Sequence, residues 1–168
     1  SFPFGVFRTS QQVTQATGLP CAVLPELTGA DEQAALKTGE YVVDWPYSRF
    51  SQTLRSIWAT INIAQRESGS KVFCVVSSVP GEGKTTIAIN LAAHFALHSK
   101  TRVLVIDADL HRHSLTNNVA PDASVGFKEA LQEPTALAKF VVRKERLNLD
   151  ALPCPASERT TNAAELLG

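Results

Sequence analysis

Ser78-Val79-Pro80-Gly81-Glu82-Gly83-Lys84-Thr85 is the stretch that decides the fold. It has the spacing of a phosphate-binding P-loop, with Ser78 in place of the first glycine. Gly81 and Gly83 let the backbone curl so that consecutive N–H groups point inward at a phosphate, where side chains would obstruct. The helix that follows adds its positive N-terminal end. Lys84 then reaches the β- and γ-phosphates, and Thr85 offers a hydroxyl to Mg2+. The expected nucleotide contacts are Ser78, Pro80, Gly81, Glu82, Gly83, Lys84, Thr85 and Thr86. A Gly-Glu-Gly turn can also join a strand to a helix with no ligand. The P-loop, however, demands a buried strand before it and a helix after it, and the sequence carries signals for both.

The strand signal is Lys71-Val72-Phe73-Cys74-Val75-Val76-Ser77, apolar and β-branched on both faces, as in the middle of a parallel sheet. Thr85 to His98 reads as a helix that buries Ile87, Leu91, Phe95 and its alanines. Arg102 to Asp107 reads as a second buried strand, which completes a βαβ unit with a right-handed crossover. Two carboxylates, Asp107 and Asp109, leave the C-terminal end of that second strand. Ligands of open parallel sheets bind beyond those ends, so both are expected to face the nucleotide. One is expected to hold a Mg2+-bound water, and the other to accept a proton from an attacking hydroxyl. Arg112 is expected near the γ-phosphate, where a guanidinium steadies transferred charge. With Lys84 these form the candidate catalytic set, and Thr85, Asp107 and Asp109 the candidate metal set.

Upstream, residues 1–46 show no sustained periodicity and are rich in proline and glycine, so they read as an extended arm. A short helix at Ser10 to Thr17 and a short strand at Cys21 to Leu24 are expected within it. From Tyr47 to Glu67, Phe50, Leu54, Ile57, Trp58 and Ile61 follow helical spacing, and Gly69 ends the run. The predicted nucleotide-binding domain is thus residues 47–168. Downstream, Gly126 to Gln132 and Ala136 to Val142 read as short helices, Leu147 to Leu152 as a third strand, and Asn162 to Gly168 as the start of a helix. The fold class expected is α/β, a three-layer P-loop domain with a mostly parallel sheet, incomplete at its C-terminal side.

The composition narrows the partners. Lysine plus arginine and aspartate plus glutamate balance at 16 each, so no global basic field draws the chain to nucleic acid. Any anion must be held by a local site. The three cysteines lie far apart without a CxxC pair, which argues against a zinc site or a disulfide framework and fits a reducing cytoplasm. There is no apolar run of membrane-spanning length and no signal peptide pattern, and the first residue is Ser1 rather than Met, which suggests a processed product, an engineered portion or an excised segment of something longer. His111 and His113, at i and i+2 without a third ligand, read as solvated or helix-start residues.

Ser78 to Asn90 with Val103 to Leu115 resembles the cytoplasmic kinase domain of bacterial protein-tyrosine kinases, the exopolysaccharide chain-length regulators or polysaccharide co-polymerases. That family's second acidic motif, Walker A′, usually continues Asp-Leu-Arg-Arg-Pro, where this chain has Asp109-Leu110-His111-Arg112-His113. Tyr47 to Arg55, Gly126 to Leu131 and Asn162 to Leu167 are similar to further family segments. Thr14 to Leu27 looks like the stretch linking the family's second transmembrane helix to the kinase. The resemblance implies ATP and Mg2+ as ligands and tyrosine autophosphorylation serving polysaccharide export. It also implies a cytoplasmic domain of an inner-membrane parent, and partners that are further copies of the chain or a membrane activator segment.

Three departures qualify what carries over. The family's oligomerising Glu-x-x-Arg-x-x-Arg is here Gln52-Thr53-Leu54-Arg55-Ser56-Ile57-Trp58. The sequence stops before the Walker B strand, and the C-terminal tyrosine cluster is missing, leaving Tyr41 and Tyr47. Two other readings stay open. A partition or septum-positioning ATPase switch usually carries a lysine early in its loop, where Val79 and Pro80 stand here. A non-catalytic nucleotide-binding regulator is the other.

Overall fold

The computed structural model describes residues 9–68, 72–99 and 102–156. Its centre is the helix α5 (Lys84–His98), whose residues from Ile89 to Ala96 are all buried. Helices α2 (Ala30–Thr38), α3 (Tyr41–Asp44), α4 (Arg49–Ser68) and α6 (Ser114–Val119) pack around it, with strands β1 (Leu104–Ile106) and β3 (Leu149–Leu152) on another side. Helix α1 (Ser10–Thr17) contributes no buried residue, and α7 (Phe127–Gln132) buries Ala130.

The sheet runs in the order β1-β3-β2, with β2 spanning Val142–Lys144. Strand β3 pairs in parallel with β1, Val105 opposite Ala151, and antiparallel with β2, Val142 opposite Ala151. All four residues of β3 are buried, as its central position requires. Among them is Asp150, whose two carboxylate oxygens take Arg102 at 2.7 Å and Arg143 at 3.1 Å. Burial pushes this carboxyl up, but the two guanidinium groups outweigh it and hold it below the usual carboxylate range.

Several expectations are corrected. Residues 72–77 are not part of the sheet, and Val72 and Val76 are 85% and 81% exposed. A continuous apolar run is compatible with a buried strand, but a strand also needs a ladder partner, and the described strands pair only among themselves. The parallel pair is therefore β1 with β3, not the two flanks of α5. Cys21 to Leu24 is not a strand either. The stretch expected as a helix from Ala136 is a 3-10 helix, Pro134–Lys139, followed by β2. The expected helix at Asn162 to Gly168 lies outside the described residues.

The largest difference is in the expected arm. Residues 30–44 form α2 and α3, and Ala35, Leu36, Tyr41 and Val42 join the main hydrophobic core. Tyr41 stacks on Trp45 and meets Phe50 edge-on, with ring centroids 4.9 and 5.2 Å apart. Helix α2 ends at Gly39, which has φ 82° and from which a Cβ would stand 2.8 Å from Ile89 Cγ1. The left-handed backbone and the close approach to α5 both select glycine.

Helix α4 packs on α5 through Trp58 against Phe95. Nearby, His94 is buried, its ring 4.2 Å from that of His98, and Arg55 of α4 adds a further positive charge. Burial, then His98, then Arg55, lower the His94 pKa from 6.5 to about 4.

Two predictions follow from this packing. Gly39→Ala is expected to lower stability by about 1–3 kcal/mol, through positive φ and the Ile89 contact together. Urea unfolding at constant m-value checks it. Because folded His94 binds a proton less readily than the unfolded chain, its contribution is present above pH 6.5 and is lost as pH falls toward about 4. The expected loss is up to about 3 kcal/mol, and His94→Gln should flatten the pH dependence of the unfolding midpoint.

Candidate nucleotide-binding site

The P-loop turns directly into α5. Gly81 and Gly83 have φ of 89° and 85°, so the curl anticipated from the two glycines is the backbone conformation found. Gly83 caps α5, and its carbonyl accepts the first helical bond, from Ile87 N at 2.9 Å. The N–H groups of the first turn, at Lys84, Thr85 and Thr86, have no i−4 carbonyl to bond. Glu82 braces the loop from within, its Oε2 accepting from the amides of Ser78 at 2.8 Å and Val79 at 3.1 Å.

A cavity of about 680 Å³ lies over this loop, a volume suited to a nucleotide-sized ligand. Ser78, Pro80, Gly81 and Gly83 line it, with Lys84, Thr85 and Thr86 at the helix start. Asp109, His111 and Arg112 line the facing wall. Glu82, expected as a ligand contact, is not among the lining residues, because its carboxylate is turned onto the loop's own amides.

The two aspartates stand in different places. Asp109 reaches the cavity and meets Lys84 Nζ at 3.4 Å. Burial raises its pKa, but the amides of Arg112 and His111, donating to Oδ1 at 3.0 and 3.2 Å, and the Lys84 ammonium outweigh this. Asp109 is therefore held below the usual carboxylate range and stays ionised. Asp107 is 3% exposed and does not line the cavity. Its Oδ1 accepts from Asp109 N at 3.1 Å, and its Oδ2 accepts from Thr116 N at 2.8 Å and Thr116 Oγ1 at 2.6 Å. Thr116 Oγ1 in turn accepts from Cys154 N at 2.7 Å. Asp107 and Thr116 thus tie the loops that follow β1 and β3 to the start of α6.

The loop between the aspartates and α6 ends on His113, a non-glycine residue at φ 51° that caps α6 and whose Nδ1 is buried without a hydrogen-bond partner. Proline cannot adopt that φ, so His113 is compatible with a turn that the Asp-Leu-Arg-Arg-Pro pattern excludes. Among the described residues, no three His, Cys, Asp or Glu side chains are grouped to hold a metal. Thr85 and Asp109 bring a hydroxyl and a carboxylate to the cavity, oxygen donors of the kind Mg2+ takes. The donor set fits that hard cation.

Sequence reasoning missed several lining residues, among them Lys37, His111, Ser114, Asn117 and Asn118. For Lys37 a signal existed: Asp31 and Glu32 in the first turn, Lys37 in the last and Gly39 beyond it mark a helix. Thr116 left no motif-level trace, since its role depends on a fold-level juxtaposition.

Thr116→Val keeps the side-chain shape but removes the hydroxyl between Asp107 and Cys154 N. We expect a loss of about 1–3 kcal/mol in thermal or denaturant unfolding, with Thr116→Ser retaining most of the stability.

Residues 73–154 match the family model described as the CobQ/CobB/MinD/ParA nucleotide binding domain. The chain is 35% identical over 127 residues to the succinoglycan biosynthesis transport protein ExoP of Rhizobium meliloti (strain 1021), covering 75% of this chain and 16% of that protein. It is 34% identical over 125 residues to the tyrosine-protein kinase YwqD of Bacillus subtilis (strain 168), covering 73% of this chain and 50% of that protein. It therefore spans half or less of these relatives' own length. The solved BceF tyrosine kinase domain superposes with a TM-score of 0.72 at 27% identity, over 95% of this chain and 66% of that one. Over residues 73–154 the chain is thus similar to the CobQ/CobB/MinD/ParA nucleotide binding domains, and over most of its length to proteins named as bacterial tyrosine kinases.

Proposed function

We propose that this chain binds ATP with Mg2+ and forms the nucleotide-binding part of a tyrosine autokinase that serves exopolysaccharide biosynthesis and export. The observation that carries the reading is the single cavity in which the left-handed glycines of the loop, the start of α5, Lys84 and Asp109 converge. The names of the kinase relatives support it over a partition-type switch.

In this reading the β-phosphate sits on the amides at the start of α5. Lys84, whose ammonium lies 3.4 Å from Asp109, exchanges that partner for the phosphates. Arg112 steadies charge on the transferred group from the facing wall. When bound, Mg2+ would supply neutralisation of the phosphate charge, and Thr85 and Asp109 would be the residues to hold it. Asp107 keeps the Asp109 loop in position through its bonds to Asp109 N and Thr116. Tyr41 is buried in the core, whereas Tyr47 is exposed. The partners proposed are ATP, further copies of the chain and a membrane polysaccharide co-polymerase segment; nucleic acid is not among them. No described helix is long and apolar enough to cross a membrane, and we place the domain on the cytoplasmic side of a membrane-anchored parent.

Lys84→Ala is expected to weaken ATP binding about ten- to a hundredfold, since a hydrogen bond to a charged group contributes about 1.5–3 kcal/mol. Titration calorimetry with Mg2+ present is the check. Equal affinity for wild type and variant would sink the assignment.

A further inference from the structure

The cavity that has the P-loop on one side has a second set of cations on another. Lys37, in the last turn of α2, lines it together with Arg112 and with Asn117 of α6. The backbone beneath Lys37 is fixed to the helix that begins at the P-loop. Asn90 of α5 is fully buried, and its Nδ2 donates to Leu36 O at 2.6 Å and to Thr86 O at 2.9 Å. One amide thus ties the last turn of α2 to the first turn of α5. Gly39, seated against Ile89, closes the same contact two residues beyond Lys37.

The charges around the cavity do not balance. Among the described residues its lining holds three full cations, Lys37, Lys84 and Arg112, against the one carboxylate of Asp109. Lys84 is paired with Asp109, whereas the ion pairs found among the described residues involve neither Lys37 nor Arg112. A lysine in the last turn of α2 also complements the helix dipole, a role that needs no ligand and amounts to about 0.3–1 kcal/mol. That role would be served equally by a lysine pointing away from the cavity.

We propose that Lys37 is a phosphate-binding residue that, with Arg112, takes the terminal phosphate of a nucleoside triphosphate. This rests on the reading of the loop as an ATP site. The amides at the start of α5 provide for an inner phosphate and Lys84 reaches the β- and γ-phosphates, so a diphosphate is served by them alone. A third phosphate brings further negative charge, and the cations in the cavity without a carboxylate of their own are Lys37 and Arg112. The residue comes from α2, far from the P-loop in sequence, and its role makes the segment before α4 part of the binding site.

The test is calorimetric titration of the chain with ATP and with ADP, each with Mg2+, for wild type, Lys37→Gln, Lys37→Arg and Lys84→Ala. Lys37 is exposed, so its substitution spares the core, and matching unfolding curves verify this. We expect Lys37→Gln to weaken ATP about tenfold while ADP changes less than about twofold, and Lys37→Arg to restore most of the ATP affinity. Unchanged ATP affinity in Lys37→Gln, or equal weakening of ATP and ADP, overturns the proposal. If Lys84→Ala alone loses binding, the ATP reading stands and this inference fails; if wild type binds neither nucleotide, both fail.

Discussion

An α-helix leaves its first N–H groups without partners, and a helix buried along most of its length can present them at only one place. Helix α5 is enclosed by α2, α3, α4, α6 and the β1 and β3 strands, so its direction is set by the packing of Ile89, Leu91, Ala93, Phe95 and Ala96. Its free end opens into the cavity at Lys84. Every feature of the site refers to that end: the glycine curl before it, the Glu82 brace beneath the curl, and Asp109 facing the lysine. The N-terminal dipole and the unpaired amides make that point favourable for an anion whatever the surrounding chain does.

The carboxylates that follow β1 divide the work by depth. Asp107, buried, spends its lone pairs on Asp109 N and on both donors of Thr116. Asp109, two residues on, is freed by that anchoring to face Lys84 while the amides of His111 and Arg112 stabilise its charge. A short acidic motif at a strand end therefore contains one residue that holds the loop and one that meets the ligand. Thr116 extends the anchor to Cys154, so the loops that follow two neighbouring parallel strands are tied together.

How legible each part was in the sequence depended on how local its cause is. The P-loop was legible because positive φ at two close positions is written as Gly81 and Gly83, and the requirement acts within the loop itself. Helix α4 was legible from the spacing of Phe50, Leu54, Ile57 and Ile61. The run from Val72 to Val76 was misleading, because pairing depends on a neighbour that its own composition does not specify. Helix α2 was overlooked among prolines and glycines, although Gly39 and the charges at its two ends mark it. Tertiary contacts, through Ala35, Leu36 and the Asn90 amide, reveal that this helix belongs to the core and carries Lys37 to the cavity. The separation of Asp107 from Asp109 by depth was likewise invisible, since both are aspartates at the end of one strand.

The central claim is that the start of α5 is an anion site for the phosphates of ATP, and backbone amide NMR addresses it directly. Titrating ATP with Mg2+ into the isotopically labelled chain is predicted to move the amide signals of Gly81, Gly83, Lys84 and Thr85 together, saturably, and with one dissociation constant. Signals of α1, which packs nothing into the core, serve as the reference that stays still. Shifts confined to other surfaces, with the amides at the start of α5 unmoved at saturating ATP, would contradict it.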